Sequence, residues 1–180
     1  DKGEIKSGHK VLIYGASGGV GTFAVQIAKS FGTEVTGVCS TRNVEILRSI
    51  GADHIIDYTK EDFTQHQDRY DLVLGVNGSN SISAYKRVLK QNGKFVHVGG
   101  SESQLYQTLF LGPFISLTGS KKISSLLQRA NQKDLNDVKE LLESGNVKPI
   151  IDKRFKLSEI TEAFKYFQEG HAQGKVVITL

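Results

Sequence analysis

Residues 15–21, GASGGVG, place four glycines in seven positions with no acid, thiol or imidazole among them. Such a segment offers one hydroxyl, that of Ser17, and otherwise bare backbone amides. Bare amides that lead into a helix suit an anion, because the first helical turn leaves its N–H groups unpaired and is the positive end of the helix dipole. A strand, then glycines, then a helix is the arrangement that holds a pyrophosphate. In that reading Gly18 lets the backbone come close and Gly21 lets the helix pack onto the strand before it. Ala16 stands where a dinucleotide fingerprint has its first glycine, and Ser17 adds a donor for a phosphate oxygen. The same glycines would also serve a plain strand-to-helix turn, so the flanking elements separate the two readings.

A second group of residues bears on which nucleotide the loop would take. NAD calls for an acidic residue about 20 positions on, to accept from the ribose 2′-hydroxyl. Cys39 stands 21 positions past Gly18, followed by Ser40, Thr41 and Arg42, and the next carboxylate is Glu45. An acid would repel a 2′-phosphate, whereas hydroxyls and a guanidinium bind it. This favours NADP(H), with Ser40 and Arg42 as contacts. Ser40, Thr41 or Asn43 would equally cap a helix, and the two roles are compatible. The missing acid also counts against S-adenosylmethionine, whose enzymes share the layout. His54, His66 and His171 have no metal-ligand spacing and read as surface residues, so no metal is expected. Asp71 reads as a strand-entry residue, and no catalytic acid or base is assigned.

These groups need elements to hold them. Val11-Leu12-Ile13-Tyr14 reads as a buried strand feeding the glycines. Val20, Phe23, Ala24, Ile27, Ala28 and Phe31 then recur at spacings of three and four, one face of a helix stopped at Gly32. The alternation continues with a strand in EVTGV, a helix through Val44, Leu47 and Ile50, and strands at 54–56 and 72–74. A helix through Ile82, Tyr85, Val88 and Leu89 follows, then a turn at QNGK and a strand at 95–98 that runs into Gly99-Gly100. This rhythm means right-handed crossovers and an α/β, doubly wound, mostly parallel sheet with helices on both faces. After Ser101 the pattern loosens. SESQLYQTLFLGPF reads as a loop with a short helix, ISLTGS as a strand, and 134–144 as a helix ended by Gly145. Pro149 bars a central strand through NVKPIIDKRFKL, Ser158 is placed to cap a helix, and GKVVITL closes the chain as an exposed strand.

Composition narrows the function classes. The 180 residues are 38% hydrophobic and 23% charged, the range of an ordinary globular domain. The net charge of +4 is spread rather than striped, which argues against a nucleic-acid surface. No apolar run is long enough to cross a bilayer. One cysteine, Cys39, excludes an internal disulfide and a clustered-cysteine zinc site, and a reducing compartment, the cytoplasm by default, is expected. The chain begins at Asp1 and contains no Met, as a processed chain or a piece of a longer one would.

With GASGGVGTFAVQIAK, GADHIIDYT, FVHVGG and EGHAQGKVVITL in this order, the chain resembles the cofactor-binding half of the medium-chain dehydrogenase/reductases, closest to their zinc-independent quinone oxidoreductases. The resemblance implies a Rossmann sheet in which Ala16, Ser17, Gly18, Gly19 and Val20 line the pyrophosphate and Ser40 and Arg42 meet the 2′-phosphate. It implies that Tyr58 reaches the same phosphate or the adenosine edge and that Asn77 sits near the cofactor ribose. Gly99 and Gly100 would pass beside the nicotinamide, and Lys175 would lie near the cofactor. Family members more often carry DTVG or DAVG where this chain reads GVNG. The resemblance divides the chain at 1–146, the NADP-binding domain, and 147–180, a segment that in the family returns to an amino-terminal catalytic domain. Without that cover, VVITL would leave an exposed apolar edge. The implied activity is hydride transfer from NADPH to a quinone or an activated C=C or C=O small molecule by a homodimer. The alternatives are the cofactor domain of a zinc-dependent alcohol dehydrogenase and an NADPH-sensing module without turnover.

Overall fold

The structure is a computed structural model that describes residues 2–66, 69–78, 80–126 and 130–180. Strand β1 (Lys10–Tyr14) leads through the glycine loop into helix α1 (Gly21–Ser30), followed by β2 (Glu34–Cys39) and, after a single 3-10 turn at Thr41–Asn43, α2 (Val44–Ser49). Then come β3 (His54–Asp57), β4 (Tyr70–Gly75), α3 (Ile82–Val88), β5 (Leu89–His97), α4 (Glu102–Thr118) and β6 (Lys122–Ser125). Helix α5 (Gln132–Glu143) connects to β7 (Ile151–Lys156), α6 (Ile160–Gln168) and β8 (Lys175–Thr179).

Among the described residues β1 to β6 form one sheet in the order β3-β2-β1-β4-β5-β6, every neighbouring pair parallel. The chain winds outward from β1 to β3, returns to the middle, and winds outward again to β6. That reversal opens a crevice at the carboxyl ends of β1 and β4, where doubly wound sheets bind ligands. Both faces of the sheet are covered, which is why its strands read as continuous apolar runs rather than alternating ones. Val11, Ile13, Val35 and Leu72 pack with Val25 and Ala28 of α1 and Leu47 of α2. Leu12, Val73 and Phe95 pack on the opposite side with Ile82, Tyr85 and Val88 of α3. The doubly wound α/β expectation holds.

Four local readings need correction. The stretch after Ser101 is one helix of 17 residues, α4, with Pro113 inside it and the Ser101 hydroxyl accepting from the Gln104 amide. Its outer face is itself apolar, with Tyr106, Phe110, Phe114 and Leu117 at least half exposed, so no polar side marks the helical period. ISLTGS therefore begins as the last turn of α4, and the strand starts at Lys122. QNGK is not a turn between elements. It lies within β5, where Asn92 takes φ of 63° and the pairing with β4 shifts register. Ser158 does not cap α6, since a 3-10 turn at Leu157–Glu159 precedes that helix and the Glu159 carboxylate accepts from the Lys156 amide.

Strands β7 and β8 pair in parallel as a separate two-stranded sheet. Ile178 and Leu180 are exposed there, as are Phe164 and Phe167 on α6. No helix among the described residues is long and apolar enough to cross a membrane.

Candidate functional site

The glycine loop leaves β1 at Gly15, whose φ of 78° favours glycine and whose α-hydrogen faces the Asn77 backbone. A Cβ built there would stand 3.0 Å from the Asn77 nitrogen. Ala16 is fully buried, its amide donating to the Val38 carbonyl at 3.2 Å. At Gly18 an added Cβ would find only the Gly15 carbonyl, at 3.7 Å, whereas at Gly21 it would strike Ala16 backbone at 2.6 and 2.7 Å. Gly21 is thus the close packing point of helix on turn, and Gly18 has room for a methyl group at ordinary contact distance. Val20 is half exposed at the start of α1.

The end of β2 is tied to this loop by Asn43. Its Nδ2 donates to Ser17 Oγ at 2.8 Å and reaches Ser40 Oγ at 3.3 Å, while its Oδ1 is buried without a partner. None of Ser40, Thr41 and Asn43 therefore caps the following turn or helix with its side chain, and Asn43, a cap candidate by sequence, is instead a strut between the loop and the end of β2. Arg42 is exposed and donates to the His171 carbonyl at 3.0 Å. The Thr41 hydroxyl donates to Asp57, at the end of β3, and Asp57 also accepts from the Thr59 amide and hydroxyl. Those hydroxyl groups, with Lys60 nearby, hold the Asp57 carboxyl down to about 2. Burial pushes the Cys39 thiol up to about 11, so it is no nucleophile at neutral pH. Tyr58 is half exposed, stacked at 6.4 Å on Tyr14, with its amide donating to the Cys39 carbonyl.

On the other side of the crevice Asn77 is exposed just past β4. Beyond β5 the Gly99 amide donates to the Gly75 carbonyl at 3.2 Å, and Gly100 bridges to Gly78. An added Cβ would stand 2.5 Å from the Gly78 carbonyl at Gly100, where φ is 145°, and 3.0 Å from the Val76 carbonyl at Gly99. His97, at the end of β5, is buried beside Ser125, and burial lowers its proton affinity. Asp71 accepts from the Lys10 amide and pairs with Lys90, the strand-entry role its position suggests. His54 and His66 bond to Glu34 and Glu61. They line a surface depression of about 360 Å³ along β3, away from the crevice.

Lys175 arrives from the second sheet. Gly174 donates to the Ser17 carbonyl at 3.0 Å. An added Cβ at Gly19 would lie 3.1 Å from the Gly174 carbonyl and 3.2 Å from Lys175 Nζ. The Lys175 ammonium sits 5.7 Å from the Phe23 ring centroid, with no carboxylate partner among the described residues. Eleven of the twelve expected binding residues therefore lie along the carboxyl ends of β1, β2, β3, β4 and β5, and the twelfth, Lys175, covers the loop from outside the sheet. Among the described residues no three His, Cys, Asp or Glu side chains gather as metal ligands would.

The family described as "Zinc-binding dehydrogenase" matches residues 50–178. A quinone-oxidoreductase, QR1, of the chloroplast of Triphysaria versicolor is 36% identical over 180 residues, 96% of this chain and 54% of that protein. The mitochondrial NAD(P)H oxidoreductase RTN4IP1 of Bos taurus is 34% identical over 203 residues, 97% of this chain and 48% of its own. Among solved structures, the quinone oxidoreductase of Coxiella burnetii superposes with a TM-score of 0.84 at 30% identity, over 99% of this chain and 55% of that one. The chain spans about half the length of the curated relatives it matches.

Proposed function

This chain belongs to the zinc-binding dehydrogenase family, within the medium-chain dehydrogenase/reductase superfamily, and on that premise we propose that it forms the NADPH-binding domain of an oxidoreductase that reduces a quinone or an activated C=C or C=O group. Homologous oxidoreductases support a nicotinamide cofactor. The observation that carries the binding reading is the Lys175 ammonium, held against Gly19 beside the start of α1 with no carboxylate to pair it among the described residues. A cation is unfavourable at the positive end of a helix, so its placement makes electrostatic sense when an anion lies between it and the loop amides.

In this reading the amides of Ser17, Gly19 and Val20 and the Lys175 ammonium hold the pyrophosphate, and Gly18, whose own amide donates to the Gly15 carbonyl at 3.3 Å, leaves room for it. Ser40 and Arg42 take the 2′-phosphate, with Tyr58 at the adenosine edge. Asn77 lies toward the nicotinamide ribose, and Gly99 and Gly100 keep side chains away from the ring. When bound, the nicotinamide supplies hydride from C4, while the protein positions the ring and excludes water. Residues 1–146 form the binding domain, and 147–180 form a segment that returns to the catalytic domain of the full protein. The assembly is a homodimer acting on a small molecule, without nucleic acid or membrane. A lone buried cysteine fits a reducing compartment, cytosolic or organellar.

The test is NADPH consumption by the full protein with a panel of quinones and enones, alongside NADPH titration. Turnover with either class is expected. Tight NADPH binding without turnover on any acceptor would favour a sensor. Turnover of alcohols lost on metal removal would favour a zinc-dependent alcohol dehydrogenase.

A further inference from the structure

The structure assigns Gln26 a positioning role: its buried amide anchors residues 148–150 to α1 so that Lys175 is held over Gly19. The assignment rests on the nucleotide reading above. Gln26 is 8% exposed, and a buried amide is costly unless its groups are bonded. All of its polar groups are used. Nε2 donates to the Thr22 carbonyl at 3.0 Å and to the Lys148 carbonyl at 2.9 Å, and Oε1 accepts from the Lys148 amide at 2.8 Å. The side chain thus exchanges two hydrogen bonds with one backbone residue, as a neighbouring strand would.

From Lys148 the constraint is passed on stiffly. Pro149 has a fixed φ, and the Ile150 carbonyl accepts from the Lys175 amide at 2.8 Å. Gly174, at φ of 87°, is wedged against that same carbonyl and donates to Ser17. The start of β8 is therefore pinned between Ile150 and the glycine loop. Because an ammonium beside a helix amino end is unfavourable by itself, the backbone that bears Lys175 must be held in place, and Gln26 is the side chain that ties it to the loop's own helix.

The experiment is a double-mutant cycle in the full protein, with NADPH affinity read by fluorescence titration and melting temperature recorded in parallel. Gln26→Leu and Lys175→Ala are each expected to weaken NADPH binding by about tenfold, the scale of one charge-assisted contact. The double variant is expected to lose little more than either single one, because the two act through the same contact. The KM for NADPH should rise in Gln26→Leu while kcat at saturating NADPH stays within about twofold. Losses that multiply to about a hundredfold, or a lowered melting temperature with NADPH affinity unchanged, would overturn the assignment and make Gln26 a simple fastener. If Gln26→Leu does not fold, Gln26→Glu keeps the oxygen that accepts from Lys148 but not the donors, and the same coupled loss is expected. No effect of Lys175→Ala in a protein that binds NADPH also overturns it, whereas no NADPH binding by the wild type removes the nucleotide reading beneath it.

Discussion

Replacing Gly21 by Ala would drive a methyl group into the Gly15 carbonyl oxygen and to within 2.6 and 2.7 Å of the Ala16 carbonyl carbon and Cα. These are backbone atoms of the turn that α1 rests on, so no flexible side chain can move aside. Overpacking costs about 1–3 kcal/mol when neighbours can shift, and here the upper end applies, about 3 kcal/mol. For a chain of this size that lowers the melting temperature by roughly 6–12 °C. At Gly18 the same methyl would meet only the Gly15 carbonyl, at ordinary contact distance of 3.7 Å. No left-handed φ stands against alanine there. Gly18→Ala should leave the fold intact, or stabilise it by about 0.4–1 kcal/mol through the unfolded chain, a rise of roughly 1–4 °C. Its methyl would occupy the space proposed for the pyrophosphate, and NADPH affinity should fall by more than about tenfold. Thermal melts and NADPH titrations of both variants make the comparison. Gly18→Ala binding NADPH like the wild type would refute the close-approach argument. Gly21→Ala melting within about 2 °C of the wild type would refute the packing argument.

Arg42→Ala should remove a preference for NADPH over NADH of roughly 1–3 kcal/mol, measured by parallel titrations; equal weakening of both nucleotides would sink the 2′-phosphate role. Asp57 gives a pH signature. Its carboxyl titrates near 2 in the folded protein against an ordinary 3.8, so its stabilisation is complete above about pH 4 and is lost as pH falls through the folded value. Between pH 4 and 2 the melting temperature of the wild type should therefore drop more steeply than that of Asp57→Asn, and parallel slopes would show that the Thr41 and Thr59 bonds contribute nothing.

The central sheet and its glycine loop were legible because strands buried on both faces leave continuous apolar runs, and two of these runs end at glycines. VLIY stops at Gly15 and FVHV at Gly99, and both stops lie at the crevice. Helix α4 was not legible, since Phe110 and Phe114 face outward while Ile115 faces the core. A helix apolar on both sides has no period to detect. Lys175 came from the family resemblance rather than from any local pattern. Gln26 left no signal at all, because its partner is a backbone 122 positions away and a backbone bond leaves no mark in residue type. Asn43 was visible as a polar residue at a helix entrance, but its bond to Ser17 depends on how β2 lies beside β1.

That neighbourhood explains why the missing acid is not simply missing. Cys39 ends β2, where an NAD ribose would seek a carboxylate, and its partner in register on β3 is Asp57. The acid stands one strand over. It is 8% exposed and turned toward its own loop, accepting from Thr41 and Thr59 with Lys60 at 3.4 Å. A carboxylate so engaged has little acceptor capacity left for a ribose hydroxyl, and its charge is partly offset before it reaches the β2 end. Its structural effect is to fasten Thr41, and with it the turn that presents Ser40 inward to Asn43 and Arg42 outward to solvent. The acid nearest the end of β2 in register thus anchors the turn proposed to hold a 2′-phosphate, an arrangement compatible with the proposed NADPH site.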